Sequence, residues 1–590
     1  MTEVDRDVVV VGSGHNSLVA ACYLAKHGLD VEVVERDTVI GGAVSTVERI
    51  PGYAMDRGSS VHVLIRYTGI VEELRLAEHG LSYVDLDPWG FAPVATPSGE
   101  QRGLHFHVNI DATCESIAQA VGEADAEAYR SFAVDWRRRN EPIFELFQGT
   151  PTRRRLGRSL WKAGRGTGRT SFDSAQQFLT SADALLDSHF ESESLKGALA
   201  WIAAQSGPPP HEAATADLLG WNMVMHGRPP GRALGGSGML TQALAARLAS
   251  DGGTLRTGDG VARIVTDAHS GRAHGVVTES GDWISARAVV AGSHIATTLQ
   301  LLDHSRLPEP VSRHLTEQRR RLRMGSGIGM AVRVAARDLP QYPSAKLDGS
   351  TWTAMQFLVS SRAHLRAAYG DFLAGRLPQR PAVLAMTTSA VDPGTAPPGR
   401  HNITLWGQWH PYELAGRQDW DAVADRAARD LIAEVEAVAP GFTRSVEDYY
   451  VQSPQDLESE MGLLRGNVMH LEMSLDSVFA FRPTPDLSGH RVVGVPGLYL
   501  TGASTHPGGG VFGASGRTVA SIVRDEWKAL GKASRAPRPA KVPQPRHKAG
   551  QGHNEAAQPR QKEGVQASLV RSPPGGAAAP DFPSPPGPGR

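Results

Sequence analysis

Cysteine is nearly absent: two occur in 590 residues, Cys22 and Cys114, and no Cys-x-x-Cys exists. This excludes a disulfide scaffold, thiol–disulfide catalysis and cysteine-ligated zinc. It fits a reducing cytoplasmic setting, and no metal site is expected. No apolar run reaches the roughly 18 residues of a membrane span. The first residues, Met1-Thr-Glu-Val-Asp-Arg, lack the basic start and apolar core of a secretory signal. The net charge is only −1, with 41% hydrophobic and 21% charged residues, which is ordinary for a soluble globular enzyme. The charge is unevenly spread, because residues 531–590 hold ten Lys/Arg against three Asp/Glu. That Pro/Gly/Ala-rich tail has too little apolar area to offset ordering entropy and reads as disordered. It lacks the interleaved aromatics of a single-strand binder, so nucleic acid is not an expected partner.

The chain opens with an apolar run, a glycine turn and a helical pattern: Asp7-Val-Val-Val-Val-Gly12-Ser13-Gly14-His-Asn16-Ser17. Four apolar residues in succession read as a strand buried on both faces. Leu18, Val19, Cys22 and Ala25 recur at helical spacing, and Gly28 ends the helix. Gly12 permits the tight turn, Gly14 lets the backbone approach a pyrophosphate, and the helix start offers free N–H groups to it. A second apolar strand ends at Glu35, 21 residues after Gly14 and in place for ribose hydroxyls. Ser17 stands where the pattern has its third glycine, at a position that needs a small residue. Arg36 then leads to Gly41-Gly42-Ala43, a second close backbone approach or an ordinary turn.

Residues 112–225 are mostly helical in pattern, and within them 151–170 is basic, interrupted by Leu156, Leu160 and Trp161. A solvated loop is the favoured reading of that stretch; a segment docking peripherally on an anionic membrane is the other. Strand signals at 261–265, 275–278 and 288–291 return the chain to the dinucleotide sheet. Further strands across 325–410 and an amphipathic helix over 420–438 suggest an inserted antiparallel sheet with flanking helices. Near the end, Gly497-Leu-Tyr-Leu-Thr-Gly502-Ala-Ser-Thr-His506-Pro-Gly508-Gly509-Gly510-Val511-Phe-Gly513 forms a strand and a glycine-dense loop before a helix. So much glycine before a helix implies backbone pressed against a ligand.

These blocks resemble the phytoene dehydrogenase-related flavoproteins. The resemblance rests on residues 10–17, Gly41-Gly42, the 466–476 block with Glu472, Phe481-Arg482-Pro483, and Gly502 to Gly510; it spans roughly residues 5–530. It implies an α/β fold: a Rossmann-type FAD-binding domain with an inserted α+β substrate domain. The FAD-binding parts are expected at 1–110, 231–300 and 466–530, with substrate parts at 111–230 and 301–465. Gly12, Ser13, Gly14 and Asn16 are implied at the pyrophosphate and Glu35 at the adenosine ribose, with Ser17 and Arg36 also among the cofactor-binding residues. Gly41, Gly42 and Ala43 are implied along the cofactor chain, and Val261 at the adenine through its backbone. Gly502 with Gly508, Gly509, Gly510, Val511 and Gly513 is implied near the ribityl chain and flavin. A second glycine loop far along the chain also favours FAD over NAD. No second strand–turn–helix fingerprint marks a site for a nicotinamide nucleotide, since Gly325-Ser-Gly327 has strand context.

The expected activity is hydride transfer from a lipophilic, isoprenoid-like substrate to flavin, with oxygen or a quinone as diffusible acceptor. His506, Glu472, Arg482 and His470 are the candidate polar groups near the ring, with Glu472 and Arg482 alternatively paired to each other. Ketolase-like or isomerase-like chemistry, and a regulatory flavoprotein without turnover, are the other readings. Oligomeric state is not legible.

Overall fold

The computed structural model describes residues 3–95, 99–166, 176–325, 328–346 and 348–531. The expected disordered tail lies outside the described residues, as does the 167–170 end of the basic stretch.

The first strand, Glu3–Val11, sits between Trp283–Ala291 and Val31–Val34, parallel to both. Thr254–Arg256 extends the parallel sheet on one side, and Leu498–Leu500 pairs with Trp283–Ala291 on the other. Val261–Thr266 and Ala273–Thr278 add an antiparallel meander. The valines explain the central position. Val8 and Val10 pack with Leu18, Val19 and Cys22, while Val9 and Val11 pack with Ile264, Ile295 and Leu299. Successive side chains thus supply two separate cores, as a strand covered on both faces must.

The helix His15–Lys26 packs against the last helix, Ala514–Glu526, with almost nothing between their backbones. A Cβ at Gly516 would collide with the Asn16 carbonyl oxygen. Ser17 is tolerated for a related reason. It faces Gly292 at the end of Trp283–Ala291, where a Cβ would collide with Ser17 Oγ. The small-residue requirement is therefore shared between Ser17 and the glycine opposite.

The second sheet runs Val446–Gln452, Gly329–Ala336, His401–Gln408, Ala382–Met386, Met355–Leu358, Gly90–Ala95 and Gln101–Phe106. Its pairings are antiparallel except that of Met355–Leu358 with Gly90–Ala95, which is parallel. The boundary expected at residue 110 is thus corrected: 90–106 belongs to the second sheet. Only two residue pairs join Gly90–Ala95 to Met355–Leu358, a contact between distant segments that local periodicity does not report. One face of this sheet, through Met330, Val332, Val334, Ile403 and Leu405, packs on Ala427, Leu431 and Val435 of the helix Trp420–Val438.

The basic stretch is also corrected: it contains a helix, Arg153–Gly166, and not a loop. Leu156 anchors it on the aromatic cluster around Phe144 and Phe147, and Lys162 Nζ lies 3.0 Å from Glu145. Among the described residues no helix is long and apolar enough to cross a membrane.

By helix propensity alone, Gly516→Ala would stabilise the chain by about 1 kcal/mol. The collision with Asn16 reverses the sign, and we expect a loss of ~1–3 kcal/mol. The urea midpoint of the purified variant measures it; a raised midpoint would refute the backbone-to-backbone packing.

Candidate active site

One cavity of about 670 Å³ runs between the two sheets, lined by residues from almost every segment singled out in the sequence. At one end is the turn Gly12-Ser13-Gly14. Gly12 has φ +89°, a left-handed conformation suited to glycine. The helix His15–Lys26 starts at Gly14 without a side-chain cap, so its first N–H groups remain free for an anion. Asn16 Oδ1 and Ser17 Oγ are buried without a protein partner, and both residues line the cavity.

Ser13 departs from its expected place at the pyrophosphate. It does not line the cavity; its N–H and Oγ both donate to Glu35 Oε2, each at 2.7 Å. Gly41 N–H in turn donates to Ser13 Oγ at 3.1 Å, and Asp37 N–H to Glu35 Oε1 at 2.9 Å. Ser13 therefore braces Glu35 and joins the first turn to the Gly41-Gly42 loop. That loop lies directly over the first: a Cβ on Gly42 would sit 4.0 Å from Gly14 Cα. Gly42, Ala43, Arg36 and Val261 line the cavity with Gly12, Gly14, Glu35 and Gly41.

From the C-terminal block, Gly502, Gly509, Gly510 and Val511 line the cavity. Gly508 and Gly513 do not. Gly508 is packed against Met473 and Arg482, and Gly513 against Ile70 and Ile65, so their positive φ angles shape the loop from behind.

The expected catalytic trio is corrected as a whole, because none of its members lines the cavity. His506 is buried beside Phe147 and Phe479, with Nε2 donating to the Leu146 carbonyl at 3.2 Å. Burial lowers its pKa to about 3. The Glu472 carboxylate pairs with Arg323 at 3.2 Å on the surface, not with Arg482. Arg482 is fully buried and donates to the backbone carbonyls of Glu472, Ser477 and Ala503 at 2.8–3.1 Å. It ties the 469–477 segment to the glycine block.

His470 does line the cavity, next to His294, which sequence reasoning missed. Their rings stack at 5.3 Å, and His294 Nε2 reaches the His470 carbonyl at 2.9 Å. Ser504 Oγ accepts from Ile295 N–H and meets His470 Nδ1, both at 3.1 Å. The Ser504 hydroxyl keeps both its hydrogen and a second lone pair, so this contact suits either tautomer of His470. Burial, with His294 and Arg482 nearby, holds His470 well below the usual histidine range, so its imidazole is neutral. The signal for His294 was present: Gly292-Ser293-His294 follows an apolar run and opens the helix Ile295–Leu301, with His294 as its cap.

The other end of the cavity is apolar. Ala331, Trp406, Leu384, Met386, Met355 and Phe357 come from alternate positions of the second sheet, on the face opposite the Trp420–Val438 helix. Phe144, Phe147, Trp221 and Met225 close it from the helical segment, and Phe512 from the C-terminal block. Among the described residues no cluster of His, Cys, Asp or Glu could hold a metal.

These groups fit FAD. An uncapped helix start, two facing glycine turns, a braced carboxylate and orphaned Asn16 and Ser17 oxygens suit a long dinucleotide. The NAD(P)-binding Rossmann-like domain family matches residues 10–74. The crystal structure of an oxidoreductase from Methanosarcina mazei shares the fold at TM-score 0.57 and 16% identity, covering 88% of this chain and all of that one. The fold and site define an FAD-dependent oxidoreductase. Pyridine nucleotide-disulfide oxidoreductase domain-containing protein 2 of Rattus norvegicus is 32% identical over 89% of this chain and 94% of its own. The chain belongs to that family, among the phytoene dehydrogenase-related flavoproteins. Phytoene desaturase of Fusarium fujikuroi is 23% identical, covering 87% of each chain. A limonene dehydrogenase chain of Castellaniella defragrans is 24% identical, over 89% of this chain and 96% of its own.

Buried histidines, His62, His490 and His506 among them, set an acid limit on stability. Burial lowers His62 and His506 to about 3 and His490 to about 4, from an ordinary 6.5. The unfolded chain then binds more protons below pH 6.5, so their stability contribution is full above that pH and is lost as pH falls toward 4 and 3. We expect a thermal midpoint that is flat from about pH 7 to 8 and falls below 6.5, less steeply in His506→Gln. Equal slopes in melting scans would remove His506 from this account.

Proposed function

We propose that the chain dehydrogenates an elongated, mainly apolar substrate, with FAD as hydride acceptor and oxygen or a quinone as the final oxidant. The supporting observation is the cavity's two-ended chemistry: glycine turns and a helix start at one end, an alternating apolar sheet face at the other. Relatives named for phytoene and limonene, both hydrocarbons, agree with that apolar end.

Bound in the glycine end, FAD supplies a two-electron acceptor for a C–H hydride. The protein's own part is positioning. The first helix start and the Gly41-Gly42 loop hold an anionic chain between them, with Glu35 fixed by Ser13 for hydroxyl groups. Trp406, Leu384, Phe357 and Met386 align an apolar chain and keep water from it. His470 adds a neutral imidazole to the cavity lining beside His294.

The test is an anaerobic titration. The purified protein, supplied with FAD, should show a flavin spectrum that bleaches with polyenes or terpenes and not with polar alcohols or amines. The product should lose two hydrogens; a gain of oxygen or an unchanged mass would move the reading to ketolase-like or isomerase-like chemistry. A flavin reduced by none of these compounds would favour a regulatory role. Leu384→Arg should retain FAD and lose bleaching by apolar compounds at least about tenfold, the scale of a charge placed in an apolar wall. Retained bleaching in Leu384→Arg would displace the substrate from this face.

A further inference from the structure

The apolar floor of the cavity carries a single charge. Arg333 lies on Gly329–Ala336, in register with Thr404 and two residues from Ala331, and is 1% exposed. Its Nε donates to Gln452 Oε1 at 3.1 Å, Nη1 to Thr404 Oγ1 at 3.0 Å and Nη2 to the Arg57 carbonyl at 3.0 Å. All three acceptors are neutral. A guanidinium has five N–H groups, so these bonds leave donors on Nη1 and Nη2 for another acceptor.

The carboxylates nearby are committed elsewhere. Asp56 pairs with Arg232, Glu460 with Arg49, and Asp37 with Arg57. Around Arg333 the attraction of Asp56 and Glu460 is opposed by the repulsion of Arg49 and Arg232, and burial lowers its pKa only to about 10. It is therefore a full positive charge at neutral pH, buried without a carboxylate of its own. Such a charge is costly unless something completes it. It lies across from Thr404, one row from Trp406 and Leu384, and the other second-sheet residues that line the cavity are uncharged; Glu460, from a helix, lines it too and is paired with Arg49. A planar guanidinium with one N–H left on each of Nη1 and Nη2 matches the two oxygens of a carboxylate.

We infer that Arg333 receives a carboxylate, so that the substrate is an apolar chain ending in an acid. This rests on the apolar-substrate reading and narrows it. The same oxyanion chemistry has a second source, the pyrophosphate of FAD, and the experiment separates the two.

The probes are dodecanoate, methyl dodecanoate and dodecan-1-ol, titrated into the FAD-loaded protein at pH 8. Binding is read from the flavin spectrum and tryptophan fluorescence. The acid should bind at least about tenfold more tightly than the ester or alcohol, the scale of a charge-assisted hydrogen bond. Arg333→Gln should level the three while keeping its FAD content, and Arg333→Lys should keep part of the preference. Equal binding of acid and ester to the unsubstituted protein overturns the inference and leaves the apolar reading standing. Binding of none of the three overturns both. Loss of FAD in Arg333→Gln, with the acid preference unchanged in whatever FAD-loaded fraction remains, assigns Arg333 to the cofactor and overturns the inference. Should Arg333→Gln fail to fold, the acid-to-ester ratio of the unsubstituted protein and of Arg333→Lys decides.

Discussion

The structure depends on two glycines pressed against one short helix, one on its backbone and one on its Ser17 side chain. The helix His15–Lys26 has Gly516 against its Asn16 carbonyl and Gly292 against Ser17, leaving no room for a Cβ at either glycine. These contacts join residues about 280 and 500 positions apart. They set the helix start, and with it the direction of its free N–H groups. The turns at 12–14, 41–42 and 502–510 therefore converge on one volume because the helix between them is held closely from two sides. Close packing at native density makes such an arrangement sensitive to single atoms.

Around that fixed point the two sheets divide the work. The parallel sheet is covered on both faces and serves as scaffold. One face of the second sheet packs on the helix Trp420–Val438; the other packs in part on the helical segment, through residues such as Ala382 and Phe357, and walls the cavity. Arg482 and Ser13 join these parts from outside the cavity. One clamps backbone carbonyls of two loops; the other holds a carboxylate and a glycine N–H at once. Neither lines the cavity, yet both set the geometry of residues that do.

The glycine turns were legible in the sequence because each glycine answers a local backbone demand. The positive φ at Gly12, Gly41, Gly42, Gly502 and Gly510 follows from the turns that contain them. Strands and the long helix Trp420–Val438 were legible from their periods. What escaped was facing. Ser13 lies in the turn, but its hydroxyl is claimed by Glu35 at the end of another strand. His506 lies within the glycine block, but Phe147, 359 positions earlier, covers its ring. Glu472 and Arg482 are near in sequence, but Arg323 takes the carboxylate and backbone oxygens take the guanidinium. Side-chain direction depends on partners that distant segments bring, and no local pattern carries that information.

The alternation of the second sheet has a consequence for how such an enzyme diversifies. Positions 330, 332, 403 and 405 belong to the packing core, while 331, 333, 404 and 406 belong to the wall. The two sets interleave along the same strands but share no face. Exchange at wall positions such as Ala331 and Trp406 therefore leaves the helix-facing core intact, whereas Arg333, tied to Gln452, Thr404 and the Arg57 carbonyl, belongs to the wall and to the framework at once.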